Sequence, residues 1–166
     1  MLLLHAVAGG IARPGSAAPL TWGMEGRLSH SRTGELGGSS PQEAARLCGR
    51  LALEKKGEEV AILDLRQVQI GCDFFVIISG KSETHVRALA EWVSEQVERL
   101  LGTRPWHVEG RTHGRWVLLD YVDWVVHIFH GETREYYRLD HLWGDAPVER
   151  LAEEGIAAAD DGERDA

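Results

Sequence analysis

Two apolar runs, EVAILDL at 59–65 and DFFVIIS at 73–79, constrain this chain more than any other feature. Each has strand length and is rich in branched and aromatic residues. Neither shows the polar alternation of a half-solvated strand. Both therefore belong inside a sheet whose two faces are covered. Residues 66–71 join them, a link that suits a hairpin better than a crossover.

The rest of the chain supplies the covering layers. Ser40-Pro41-Gln42-Glu43 is a capping box with proline at the first helical position. Ala44, Leu47, Cys48 and Leu51 follow at helical spacing, and Gly57 marks the stop after Lys55 and Lys56. Ser82 caps a longer helix, 82–101, whose Val86, Leu89, Ala90, Val93, Val97 and Leu100 form one stripe. Residues 105–109 read as a short edge strand, given Pro105. Residues 115–121 and 124–129 are separated only by Val122 and Asp123, which forces an antiparallel hairpin. A short helix over 132–138 then returns Tyr136, Tyr137 and Leu139 to the sheet, and Leu142 and Trp143 anchor the chain. The order αββαβββα implies an α/β (α+β layered) domain on a mixed five-stranded sheet. Residues 1–39, rich in Gly, Ser, Ala and Pro, read as a disordered extension, 40–147 as the domain, and 148–166 as an acidic flexible tail.

Charge narrows the partners. The formal net charge of −8 divides into about +1 over residues 1–39, −4 over 40–150 and −5 over 151–166. An acidic body is a poor ligand for phosphate backbones and a good one for a basic protein. Sequence-specific nucleic-acid binding is therefore not expected. No apolar run reaches the ~18 residues of a membrane span. The two cysteines, Cys48 and Cys72, suggest a reducing compartment. The first residues lack a cationic region typical of a secretory signal. Arg13, Arg27 and Arg32 outnumber Glu25 and Glu35, as in an organellar transit peptide. An over-extended start with Met24 as initiator, and a cytoplasmic protein, is the preferred expectation.

Several constellations invite chemistry and lack its full pattern. Gly80-Lys81-Ser82 at a strand-to-helix turn has Phe75 where a phosphate loop needs its first glycine, so Ser82 is a plain N-cap. Asp120 and Asp123 suggest a metal-dependent nucleotidyltransferase, but Asp-x-x-Asp across a two-residue turn does not converge as Asp-x-Asp would. His127 and His130 lie on opposite faces of one strand, so neither they nor His141 make a zinc site. Cys72 has no histidine partner nearby in sequence, and Asp73 opens a strand as a turn residue does. No cofactor or metal is expected. The more informative pattern is Trp116, Leu118 and Asp120 on one face of a strand, with Val117, Leu119 and Tyr121 on the other. An open first face would make Trp116 and Leu118 an apolar anchor rimmed by Asp120 and Asp123. A closed one would make Trp116 ordinary core.

The segment 53–147 resembles the ribosomal silencing factor (Iojap-related) family. The resemblance rests on KKGE at 55–58, LDLR at 63–66, DFFVI at 73–77, SGKS at 79–82, HVRALA at 85–90 and VEG at 108–110. It continues through WVLLDY at 116–121 with Asp123, VHIFH at 126–130, REYY at 134–137, Leu139 and LWGDAP at 142–147. It implies a nucleotidyltransferase-like fold without catalytic residues and a non-enzymatic translational repressor. Such a repressor binds the large ribosomal subunit at ribosomal protein number fourteen and sterically blocks the small subunit. Trp116, Leu118, Asp120 and Tyr121 carry over as protein-binding residues, with Asp123 beside them and His127 as a motif position. Two residues depart from the family: Val122 replaces a usual glycine and Trp124 a usual aliphatic. A homodimer through Trp116 or Trp124 is a further expectation.

Overall fold

The chain divides into two units, residues 1–38 and 39–166. The computed structural model describes residues 39–152 except Gln69, all within the second unit. Helix α1 (Pro41–Glu54) leads to β1 (Glu58–Asp64), β2 (Phe74–Gly80), α2 (Glu83–Leu101), β3 (His107–Glu109), β4 (Trp116–Asp120) and β5 (Trp124–His130). Then come two short helices, α3 (Gly131–Tyr137) and α4 (Leu139–Leu142), and a last strand β6 (Val148–Leu151). The Ser40 capping box forms as expected: Ser40 Oγ accepts from the Glu43 amide and the Glu43 carboxylate accepts from the Ser40 amide.

The sheet has the order β3-β4-β5-β2-β1-β6. Neighbours are antiparallel except β2 and β5, which run parallel from Phe74↔Trp124 to Gly80↔His130. The two apolar runs are indeed an antiparallel hairpin, with Asp64 opposite Phe74. All seven residues of β2 are buried. The five-stranded expectation is corrected by β6, which pairs with β1 from Val60↔Leu151 to Leu63↔Val148. By sequence these four residues belong to the acidic tail, because a short segment with Glu149 and Arg150 has no apolar pattern of its own. It is held by β1 and by Arg46 of α1, whose Nε and Nη2 donate to the Glu149 carboxylate at 2.9–3.0 Å.

Helices α1 and α2 pack on one face of the sheet. Ala44, Cys48, Leu51, Val86, Leu89, Val93 and Val97 meet Val60, Ile62, Val76, Val117, Leu119, Val126 and Ile128. The opposite face carries Leu63, Phe75, Ile77, Trp116, Leu118, His127 and Phe129, all buried. On that side α3 and α4 are fixed by a buried arginine. Arg134 Nη1 donates to the Glu59 carbonyl at 2.7 Å and to Ser79 Oγ at 2.8 Å, and Nη2 donates to Asp140 at 3.3 Å. The Glu59 carbonyl is free to accept because β1 has a bulge there, with Glu59 at φ 49°.

Candidate protein-binding site

Strand β4 alternates as the sequence implies, but its Trp116 face is closed. Trp116 is 7% exposed and Leu118 3%. The indole stacks on Phe129 of β5, with ring centroids 4.7 Å apart, and meets Tyr137 of α3 at 5.0 Å. An open anchor centred on Trp116 is thereby corrected. The physical reason is α3, which folds back after β5 and lays Tyr137 against the indole. Strand alternation shows which residues share a face, not what covers that face.

His127 belongs to the same closed layer. Its Nδ1 lies 3.2 Å from Trp116 Nε1. An indole nitrogen only donates, so Nδ1 accepts and the ring proton sits on Nε2. Nε2 has no hydrogen-bond partner, and Phe75 meets the ring edge-on at 4.6 Å. Burial pushes its pKa down to about 3, so the ring is neutral at pH 7. Tyr121 lies on the other face, stacked on Trp124 at 4.8 Å, and burial pushes its hydroxyl pKa up. Trp124 therefore fills core under α1 and α2 and not the contact surface.

Asp120 and Asp123 remain, and they build the turn between β4 and β5. Asp120 Oδ1 accepts the Val122 amide at 2.8 Å, and the Asp123 amide donates to the Tyr121 carbonyl at 3.0 Å. That three-residue closure, with Val122 at φ 76°, is a γ-turn of the rare strained kind. A β-branched residue is held there because the turn is tied on its far side. The amides of Asp73 and Phe74 donate to the Asp123 carbonyl at 2.8 and 3.3 Å.

The parallel register of β2 with β5 brings the loop between β1 and β2 to the same end of the sheet as this turn. Three exposed apolar residues gather at that end: Val122, Val68 and Ile70. Four carboxylates accompany them. Burial and then the nearby Asp73 charge hold the Asp123 carboxyl above its ordinary range. A hydrogen bond from Arg66 holds Asp64 below it. The turn uses the side chain of Asp120 but only the backbone of Asp123. Among the described residues no three His, Cys, Asp or Glu side chains gather to hold a metal ion. Asp120 and Asp123 were candidates from the sequence; exposed Val68 and Ile70, two apolar residues inside an otherwise polar loop, were not.

The family profile described as "Ribosomal silencing factor during starvation" matches residues 38–166. The chain belongs to the ribosomal silencing factor family. A silencing factor of Halalkalibacterium halodurans is 40% identical over 117 residues, 70% of this chain and 97% of the relative. One from Bacillus subtilis is 39% identical over 98 residues, 59% of this chain and 82% of the relative. The crystal structure of a Chromobacterium violaceum protein is similar with a TM-score of 0.62 at 28% identity, covering 73% of this chain and 98% of that one. Within this silencing-factor fold, the quoted family motifs divide by role. Val117, Leu118 and Leu119 of β4 and VHIF of β5 build the sheet, while Asp120 and Asp123 shape its end.

Proposed function

We propose that this chain represses translation by binding the large ribosomal subunit at ribosomal protein number fourteen and sterically blocking association of the small subunit. Family membership supports the ribosomal partner. The observation that carries the contact is the end of the sheet: exposed Val122, Val68 and Ile70 accompanied by Asp64, Asp73, Asp120 and Asp123. Apolar tips among carboxylates suit a basic protein surface, with affinity from the apolar contact and orientation from the charge. Trp116, Leu118, Tyr121 and His127 then act behind the surface, as the packing that sets the position of the turn. Asp123 is the direct contact, and Asp120 holds the γ-turn that presents it.

The test is co-sedimentation of Asp123→Lys with purified large subunits, beside light scattering of subunit joining. Placing a cation against a basic partner should weaken binding ~10-fold or more and restore joining. A variant folded by circular dichroism that still binds and still blocks joining like the wild type would remove this surface from the interface.

A further inference from the structure

Among the described residues one tryptophan stands in the solvent, and it is not Trp116. Trp106 is 75% exposed, more than any other large apolar side chain among the described residues except Tyr136. Its backbone is fixed: Pro105 restricts the approach, and the Trp106 amide donates to the Asp120 carbonyl at 2.7 Å. The ring is thus an open platform on a rigid stem at the edge of the sheet, with His107 beside it at 6.0 Å.

The stretch of sequence that carries Trp106 reverses the charge of the rest of the chain. Residues 99–115 hold Arg99, Arg104, Arg111 and Arg115 with His107 and His113, against the single carboxylate Glu109, in a chain of net charge −8. Arg104 pairs with Glu98 and Arg115 with Glu83, yet both side chains stay largely exposed. Arg99 and Arg111 make no ion pair among the described residues. Strand β3 spans only His107–Glu109, so Arg104 and Trp106 precede it and Arg111 follows it along the same short edge strand.

We propose that Trp106, with Arg104 and Arg111, is a contact for single-stranded RNA, taking one unstacked base on the indole face and neighbouring phosphates on the guanidinium groups. An aromatic ring and mobile cations are the two elements by which single strands are held without sequence readout. A basic protein partner is disfavoured by the local arginines, and an acidic one would not need a bare indole. The proposal deepens the ribosome-binding reading, which supplies the RNA. It places a second contact beside the first, since Trp106 is hydrogen-bonded to Asp120.

The experiment uses the full chain and a short fluorescent single-stranded RNA, titrated by anisotropy at several salt concentrations, with the matching RNA duplex as comparison. Wild type binds the single strand better than the duplex. Trp106→Ala weakens the single strand about tenfold, and Trp106→Phe restores most of it. Arg111→Ala lowers the salt slope by about one ion. Trp106 is so exposed that neither variant threatens the fold. No binding at low salt, equal binding of Trp106→Ala, or preference for duplex would overturn the proposal. So would Trp106→Ala losing affinity for the isolated ribosomal protein while keeping RNA. Asp123→Lys should leave the oligonucleotide titration no weaker, so failure of the protein contact and failure of the RNA contact are read separately.

Discussion

His127 shows how a residue that looks like chemistry can be pure architecture. Its Nδ1 accepts from Trp116 and its ring is fully enclosed, so protonation would remove the acceptor and bury a charge. The folded-state pKa, about 3, lies below the ordinary 6.5, so the unfolded chain binds the extra proton between those values. Stability from this group is complete above pH 6.5 and is lost as pH falls, by about 1.4 kcal/mol per pH unit once the unfolded ring is charged. Urea unfolding between pH 7 and 5 should show this loss in the wild type. His127→Gln, whose amide oxygen can accept the indole proton, should show a shallower one. Equal slopes in the two proteins would mean the ring is not sealed. Strand spacing argued against a zinc role for His127, but it could not show the indole as its partner. That needs Trp116 and His127 to come together across the β4–β5 pairing, where Leu118 stands directly opposite His127.

At the scale of elements, legibility followed hydrophobic pattern. Strands β2 and β5 were readable because their apolar runs are continuous, and α1 and α2 because their caps and stripes agree. Strand β6 was not, since VERL carries two charges in four residues and gains its place only from β1 and Arg46. The return of α3 was readable in part: Tyr137 meets Trp116 and Leu139 is buried, but Tyr136 and Leu142, expected to pack with them, are exposed. Segments of seven and four residues have no helical stability of their own, so tertiary contacts must hold them. Arg134 is the principal one, joining both to the β1 bulge and to Ser79. Arg134→Ala leaves the Asp140 carboxylate and the Glu59 carbonyl without their donor. It should cost about 3 kcal/mol in chemical denaturation, with Trp116 fluorescence shifting to the red as Tyr137 is released. A loss under 1 kcal/mol with an unchanged emission maximum would show that α3 is held by apolar contact alone.

For the whole molecule, net charge averages over stretches of opposite sign. The value of −8 disfavours nucleic acid on average, yet the arginines between 99 and 115 lie in one stretch of sequence and the acids of the turn and the β1–β2 loop at one end of the sheet. In the two proposed contacts, segregated charge would let one small domain address basic protein and RNA, where uniform charge would repel one of them. The two contacts should then differ in kinetics. Carboxylates near the rim act at a distance and steer encounter, whereas a stacked indole acts only after docking. In stopped-flow association with large subunits, Asp123→Lys should mainly lower kon, and Trp106→Ala mainly raise koff. Screening shortens the reach of charge to about 10 Å at 0.1 M salt and about 3 Å at 1 M. The kon deficit of Asp123→Lys should therefore shrink as salt is raised, while the koff ratio for Trp106→Ala changes far less. A kon deficit that is independent of salt would mean that Asp123 acts through the shape of the strained Val122 turn and not through its charge.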